Sequence, residues 1–484
     1  MLFNSAAYLL LFLPLAVVVY FLLNRRRLTL AGQAWLVAAS LFFYGYWKLT
    51  FLPIILVSIL VNYVVGVYLS KNGGAEAVAA QPGALNRRAV LVTGLLFNIG
   101  LLGYFKYADF FVQNVNALAG DIIPLPHVTL PIGISFFTFQ QIAYLVDSYR
   151  GQTKEYDFLN YCLFVTFFPQ LIAGPIVHHK DMMPQFAQIR NKLPNWKNIY
   201  VGLFFLASGL FKKVAVADTF GAYVARGFSS PGSLTFTAAW ATSLCYTAQL
   251  YFDFSGYTDM AIGAARLMNI RIAQNFEAPY RALDIQDFWR RWHITLGNFL
   301  RDYIYIPLGG NRKGRGRTYV NLFLTFLIGG LWHGAGWTYV LWGALHGAAI
   351  CVQQFWKGVG LRLPKWCAWL VTALFVNGAW VVFRADSFAA ALGIWRAMLG
   401  MGERIPGVRV VTLSILWRAG QFDIWLLCVV LLFVLQDLAF RTTQAWAARI
   451  RPNMAWTICT AVMLFFGFAL VNQHRFTEFI YFQF

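Results

Sequence analysis

Long apolar stretches, separated by short polar or basic segments, make up most of the 484-residue chain. A helix needs about 20 mainly apolar residues to cross a bilayer, and roughly a dozen stretches approach that length. The pattern predicts an all-α polytopic membrane protein, in which segments broken by Gly or Pro are re-entrant. The candidate spans are Ser5–Leu23, Leu30–Tyr46, Thr50–Leu69, Ala89–Tyr107, Val128–Val146, Phe158–Val177, Ile199–Val216, Leu234–Phe254, Tyr319–Trp337, Thr338–Phe355, Trp366–Phe383, Ile424–Phe440 and Trp456–Val471.

Basic residues next to these stretches predict the orientation of the chain. Arg25, Arg26 and Arg27 follow the first stretch. A cleavable signal peptide carries its positive charge before its apolar run, so we expect an uncleaved first span. Basic loops stay in the cytoplasm, which places the N-terminus outside. Because Arg449 and Arg451 precede the last stretch, we also expect a periplasmic C-terminus.

Composition supports a membrane location. Hydrophobic residues make up 59% of the chain and charged residues 12%, about half of the ~25% charged residues typical of soluble domains. Lys and Arg outnumber Asp and Glu by 39 to 19, a net charge of +20. In so apolar a chain this excess indicates basic cytoplasmic loops rather than a nucleic-acid partner. Composition therefore excludes a disordered chain, a soluble nucleic-acid-binding domain and an ordinary cytosolic enzyme.

The segment Asn269–Thr318 differs from the rest, because it contains nine basic and four acidic residues among many aromatics. Apolar residues recur at helical spacing from Ile285 to Tyr303, which predicts an amphipathic helix on the cytoplasmic side of the membrane. The following segment, Gly309–Arg317, predicts a basic glycine-rich turn that lacks the Lys-Ser/Thr pair of a phosphate-binding P-loop. Lipid-headgroup anchoring would also explain these basic residues.

Histidines inside apolar stretches are costly to keep and therefore informative. His333 lies among four glycines, where it could exchange a proton near neutral pH or make a helix–helix hydrogen bond. His293 falls on the aromatic face of the predicted amphipathic helix, and His346 is expected to pack. His178 and His179 are expected to be exposed in a loop. No histidine, cysteine and carboxylate spacing predicts a metal site.

Asp253, Ser255 and Asp259 lie at the end of one apolar stretch. The two carboxylates could cap a helix, orient a histidine or line a polar tunnel. Ser255 is not part of a G-x-S-x-G sequence, so a serine hydrolase of that type is excluded.

Several of these segments together resemble the membrane-bound O-acyltransferase family, and more narrowly its bacterial branch typified by the alginate O-acetylation protein. The matching segments are Leu130–Phe136, Phe168–Pro175, Gln249–Asp259, Phe288–His293, Leu300–Arg312, Gly329–Gly334 and Phe479–Phe484.

The resemblance implies one transmembrane domain over residues 1–484, with a ring of about 11–13 helices around a central tunnel. It implies that acetyl is taken from a cytoplasmic donor, acetyl-CoA, and passed across the bacterial inner membrane. A periplasmic O-acetyltransferase of the SGNH type, or another acceptor protein, would then acetylate a polysaccharide. His333 matches the catalytic histidine of the family, and His293 matches a second histidine that is often required.

This chemistry assigns roles to further residues. As a general base, His333 would take the proton from an acceptor hydroxyl, while Trp332 and Trp337 exclude water. Tyr481 would be an interfacial anchor or, as the resemblance to related acylation systems implies, an acyl relay. Chemistry permits the relay, because a phenol with a pKa of about 10 is a leaving group closer to a thiol near 8.5 than to an alcohol. The residues that would attract the donor phosphates, or equally anchor lipid, are Arg290, Arg291, Arg312, Lys313 and Arg315.

Three alternatives stay open at this point. A D-alanyl-transferring relative would use a carrier-protein thioester as its donor. A transporter or polysaccharide-export channel would use His333 to line a conduit without transferring anything. A lipid acyltransferase would require a long-chain acyl donor. The identity of the polysaccharide is also open.

Overall fold

The computed structural model describes residues 1–71, 86–153, 155, 157–402, 442–473 and 479–480. Apart from an isolated antiparallel bridge between Phe276 and Trp292, the regular structure in these ranges is helical, which confirms the predicted all-α class. In chain order, the longer described helices are α1 Ala7–Arg25, α2 Thr29–Gly45, α3 Leu49–Lys71, α4 Arg87–Ala119, α5 Ile134–Tyr149, α6 Phe158–Thr166, α7 His179–Ala187, α8 Trp196–Ser229, α9 Phe236–Leu267, α10 Ile285–Arg291, α11 Ile294–Leu300, α12 Arg315–His333, α13 Trp337–Val359, α14 Lys365–Arg384, α15 Phe388–Met398 and α16 Met454–Gln473.

Within the described ranges, six helices are long and apolar enough to cross a membrane: α1, α3, α4, α8, α14 and α16. Each of them overlaps a span predicted from the sequence. The chain is therefore a multi-pass membrane protein, as predicted. The predicted span Ile424–Phe440 and the predicted relay residue Tyr481 lie outside the described residues.

The predicted span Phe158–Val177 is not a continuous helix. Within Phe158–Val177, helix α6 ends at Thr166, and Phe167 leaves the helical region with φ −47° and ψ 106°. A new short helix then begins with Pro169 in its first turn. A continuous helix would place this proline in its interior, where the missing N–H removes a hydrogen bond. The helix therefore ends before Pro169 instead of continuing through it.

The single amphipathic helix predicted from Ile285 to Tyr303 is wrong. The segment forms two short helices, α10 and α11, with Trp292 and His293 between them. Trp292 is extended, whereas His293 has a left-handed backbone with φ 45° and ψ 53°. Because α10 and α11 each keep the helical spacing of apolar residues, periodicity alone could not reveal the break.

The chain forms two compact units. The first consists of Met1–Ala207, Tyr257–Gln274 and Arg451–Thr460. The second consists of Ser208–Gly256, Asn275–Ile450 and Ala461–Phe484. The single transmembrane domain over residues 1–484 stays a prediction.

In the first unit, two asparagine side chains form a reciprocal pair inside the apolar core. Asn62 of α3 and Asn98 of α4 are fully buried and exchange amide hydrogen bonds of 3.2 and 2.6 Å. Such reciprocal bonds hold helices together where neither lipid nor core offers another partner. An aromatic stack of Phe3 with Tyr8 and Tyr257, with ring centroids 4.7 Å apart in each pair, is a separate part of the core of this unit.

In the second unit, α12 and α13 pack closely because glycines face each other. A Cβ added to Gly330 would lie 2.8 Å from the Cα of Gly343 and would collide with the carbonyl oxygen of Tyr339. Small residues allow membrane helices to approach this closely. The contact matters for the site described below, because α12 ends at His333.

We expect Gly330→Ala to lower the thermal unfolding midpoint of the purified protein in detergent. The added methyl group has no room, and overpacking costs roughly 1–3 kcal/mol. Gly316→Ala is the matched control, because it lies on the same helix with no atom within 4 Å of an added Cβ. Equal midpoints for the two variants would contradict the close contact between α12 and α13.

Candidate active site

The backbone at His293 is held in an uncommon conformation by a segment about 20 residues earlier. Asn275 Oδ1 accepts hydrogen bonds from the backbone N–H of Thr295 at 3.2 Å and from its hydroxyl at 2.7 Å. The backbone N–H of Ile294 donates to the carbonyl oxygen of Asn275 at 3.0 Å. Left-handed backbone at a non-glycine residue costs about 1–2 kcal/mol and persists only where its surroundings enforce it. These bonds therefore fix the direction in which His293 points.

The His293 side chain is completely buried among aromatic rings. Its ring centroid lies 4.7 Å from that of Phe254 and 6.1 Å from that of Trp332. Burial lowers the pKa of the His293 imidazole to about 3, because an apolar environment disfavours the charged form. The ring is therefore neutral at physiological pH.

His333 is the last residue of α12 and is also buried. Its ring centroid lies 4.9 Å from that of Trp332, 5.0 Å from that of Trp342 and 5.2 Å from that of Phe383. Trp332 thus contacts both histidines. The tertiary structure brings together two residues that are 40 positions apart, as the candidate site requires.

A third histidine, His346, belongs to the same aromatic cluster. Its Nδ1 accepts a hydrogen bond of 3.2 Å from the indole N–H of Trp289, and its ring lies 4.7 Å from that of Trp342. An Nδ1 that accepts leaves the proton of a neutral imidazole on Nε2. His346 packs as predicted, and it is as deeply buried as His293.

A cavity of about 510 Å³ opens next to this cluster, within the range typical of small-molecule sites. Trp289 and Phe326 line the cavity and also contact His346. From Trp289, ring contacts continue to Trp342 at 5.7 Å and then to His333. The polar residues of the lining include Gln286, Arg290, Asn298, Arg301, Tyr305 and Asn311.

The predicted donor-phosphate residues occupy different environments. Arg290 lines the cavity. Arg291 forms an ion pair of 3.0 Å with Asp287 on the same helix. The other three, Arg312, Lys313 and Arg315, are exposed in the segment that follows Asn311. Arg301, which the sequence analysis did not select, lines the cavity while bonded to Asp302.

The predicted supporting residues also separate. Trp332 is buried against both histidines, whereas Trp337 begins α13 and is 55% exposed. Ser255 is buried in the second unit, and Asp259 is buried in the first unit.

Asp253 is buried in the second unit and forms an ion pair with Lys213. The described hydrogen bonds of Asp253 also include one from the backbone N–H of Ile480 at 3.0 Å. Lys213 is not among the site residues predicted from the sequence. Its signal was a charged residue inside the predicted span Ile199–Val216, which is unusual enough to indicate a role.

The two loop histidines form pairs with carboxylates in the first unit. His179 is buried, and its Nε2 lies 3.0 Å from Glu155 Oε2. His178 is partly exposed, with its Nδ1 3.6 Å from Asp147 Oδ2. The expectation that both are exposed in a loop is therefore wrong for His179. Among the described residues, no group of three or more His, Cys, Asp or Glu side chains is arranged to hold a metal ion.

A model of the membrane-bound O-acyltransferase family matches residues 47–388 of the chain. The protein belongs to the membrane-bound O-acyltransferase family. It is therefore an O-acyltransferase, as predicted, and both His293 and His333 fall within the matched region.

Individual relatives cover the whole length of this O-acyltransferase. It is 41% identical to the peptidoglycan O-acetyltransferase of Helicobacter pylori, over all of this chain and 98% of that protein. It is 37% identical to the "Probable alginate O-acetylase AlgI" of Pseudomonas putida, over the full length of both. Similarity to the teichoic acid D-alanyltransferase of Bacillus subtilis is lower, 26% identity over 60% of this chain and 82% of that protein.

The left-handed backbone at residue 293 of this acyltransferase predicts how substitutions there change the stability of the protein. His293→Asn and His293→Val both remove the imidazole, but asparagine tolerates the left-handed region and a β-branched residue does not. We expect His293→Val to be less stable than His293→Asn by roughly 1–2 kcal/mol, seen as a lower unfolding midpoint in detergent.

The matched control is the same pair of substitutions at His346, which is equally buried but lies within helix α13. Because residue 346 is helical, His346→Val should not be less stable than His346→Asn on account of its backbone conformation. If His293→Asn and His293→Val unfold at the same temperature, the left-handed backbone at residue 293 is wrong.

Proposed function

We propose that the protein takes acetyl from cytoplasmic acetyl-CoA and passes it across the bacterial inner membrane for O-acetylation of an extracytoplasmic polysaccharide. The observation that carries the proposal is the pair of buried histidines that share Trp332, in a chain that aligns over its full length with O-acetyltransferases. The relatives' names support alginate or peptidoglycan as the class of polymer.

His333 acts as the general base in this proposal. Its imidazole takes the proton of an acceptor hydroxyl while the oxygen attacks the thioester carbon, and the proton then passes to the departing thiolate of CoA. The rings of Trp332, Trp342 and Phe383 around His333 support this role. They keep out the water that would otherwise hydrolyse the donor.

His293 has a different role, because its lowered pKa makes the imidazole a weak proton acceptor. A neutral imidazole can donate one hydrogen bond and accept another. We assign to His293 the orientation of the acetyl group or its acceptor beside Trp332. The enforced backbone at residue 293 supports a role that depends on direction.

The cavity beside α10 is the proposed site for the donor. Arg290 and Arg301 line it, and guanidinium groups bind phosphate oxygens in pairs of hydrogen bonds. The aromatic contacts from Trp289 through Trp342 to His333 connect the cavity wall to the proposed base. The phosphates of CoA would bind at the arginines, while the thioester reaches toward the histidines.

Tyr481 is the proposed acceptor of acetyl from CoA. The phenol oxygen replaces the thiol, and the resulting phenyl ester keeps much of the transfer potential, because phenol is a better leaving group than an alcohol. A partner on the periplasmic side, an O-acetyltransferase of the SGNH type or another acceptor protein, would then receive acetyl and acetylate the polymer. This arrangement requires the predicted periplasmic C-terminus.

Acetyl is favoured over D-alanyl by the extent of similarity. The O-acetyltransferase relatives align over the whole chain at 37–41% identity, whereas a teichoic acid D-alanyltransferase aligns over 60% of it at 26%. A carrier-protein thioester as the donor, with no turnover of acetyl-CoA, would reverse this choice.

We expect labelled acetyl-CoA to separate the roles of His333 and Tyr481. His333→Gln removes the base and should reduce CoA release about 10²–10⁴-fold. Tyr481→Phe should abolish delivery of acetyl to the polymer, while CoA release to other acceptors survives. The measurements are CoA release and label on the polymer, in membranes that contain the periplasmic partner.

His346→Gln is the control for His333→Gln, because it removes an equally buried imidazole from the same aromatic cluster. It should keep most of the CoA release. Full polymer acetylation by Tyr481→Phe would contradict the relay. A wild-type protein that neither releases CoA nor acquires label would favour the transporter, and turnover of long-chain acyl-CoA would favour a lipid acyltransferase.

Arg290→Gln should raise the KM for acetyl-CoA roughly tenfold with little change in kcat. A hydrogen bond to a charged group contributes about 1.5–3 kcal/mol, and 1.4 kcal/mol corresponds to a factor of ten. Arg362→Gln is the control, since Arg362 is exposed in the loop between α13 and α14. An unchanged KM in Arg290→Gln would remove the cavity from the proposed donor path.

A further inference from the structure

A buried charged cluster connects α8 and α9 in the second unit. Lys213 Nζ lies 2.7 Å from Asp253 Oδ1 and 2.8 Å from Asp218 Oδ1. Lys213 and Asp253 are each 1% exposed. Ionisable groups buried in a membrane protein are costly, and they usually mark a function.

The C-terminal segment, here Phe479 and Ile480, contacts both members of the Lys213–Asp253 pair. The backbone N–H of Ile480 donates a hydrogen bond of 3.0 Å to Asp253 Oδ2. The Lys213 ammonium lies 4.9 Å from the centre of the Phe479 ring, within the range of a cation–π contact. Both Phe479 and Ile480 are buried, although they lie within six residues of the end of the chain.

The two carboxylate oxygens of Asp253 have different partners, and this indicates the role of the Lys213–Asp253 pair. Asp253 uses Oδ1 for Lys213 and Oδ2 for the backbone of Ile480. A buried ion pair needs further hydrogen bonds to offset the desolvation of its charges, and here the C-terminal segment supplies one of them. The hydrogen bond to a main-chain N–H fixes the position of the backbone whatever the side chain at 480.

We propose that the Lys213–Asp253 pair anchors the C-terminal segment and so presents Tyr481, the residue after Ile480, for acyl transfer. The inference rests on the proposed function for its consequence, because the relay is assigned to Tyr481. Lys213 and Asp253 are positioning residues here. They hold the segment through Phe479 and Ile480 and take no part in bond making.

The test removes one hydrogen bond and leaves the ion pair intact. Ile480→Pro removes the backbone N–H that donates to Asp253. Ile480→Val keeps this N–H and has a side chain of similar shape. The purified full-length protein in detergent is treated with a carboxypeptidase that also cleaves prolyl bonds, and removal of residues 480 and 479 is followed by intact mass, relative to free peptides of the same sequences. We expect at least tenfold faster release from Ile480→Pro than from wild type, with protection restored in Ile480→Val.

A second readout connects the anchor to the reaction. The ratio of polymer acetylation to CoA released should fall at least tenfold in Ile480→Pro and recover in Ile480→Val. Asp253→Asn, which keeps the size of the side chain but removes its charge, should also speed release of the last residues. If this variant does not fold, the Ile480 pair still decides the question, because those changes leave Lys213 and Asp253 in place.

The outcomes separate the anchor from the proposed function. Equal digestion of wild type and Ile480→Pro would overturn the anchor. Faster digestion with an unchanged ratio would overturn its positioning role. A wild-type protein that releases no CoA from acetyl-CoA would overturn the proposed function, while the digestion rates would still test the anchor.

Discussion

Neither an apolar core nor a bilayer supplies hydrogen bonds, so a buried polar group in this protein is stabilised only by a partner within the protein. Asn62 and Asn98 satisfy each other through two reciprocal amide hydrogen bonds. In the second unit, Asn377 accepts a hydrogen bond from Ser243 and donates one to Thr247. These contacts determine which faces of the apolar helices meet, a choice that hydrophobicity alone does not make in lipid.

The same requirement shapes the candidate active site. Its histidines are surrounded by aromatic rings, and burial lowers the pKa of the His293 imidazole. His293 reaches this environment only because the chain leaves the helix at that residue and the side chain of Asn275 holds the turn through Thr295. The cost of left-handed backbone is offset locally by these hydrogen bonds, as expected where the direction of one side chain matters.

Charge is used in two different ways in the second unit. Several basic residues after α11 are exposed, where salt and solvent weaken their interactions. Arg290 is also exposed, although it lines a cavity, whereas Lys213 is buried between carboxylates. Buried charges act over short distances in a low dielectric. Lys213 therefore supports a more specific role than the net charge of the chain suggests.

The apolar stretches by themselves determined the membrane class and six of the spanning helices, because the length and hydropathy of a segment are local properties. Family motifs singled out His293 and His333, which the aromatic cluster brings together at Trp332. Periodicity could not reveal the break at His293, since the hydrogen bonds that stabilise it come from Asn275. Nor could it pair Asp253 with Lys213 and Ile480, which are 40 and 227 positions away. Only the tertiary structure decided these contacts, because their free energy depends on partners that are distant in the chain.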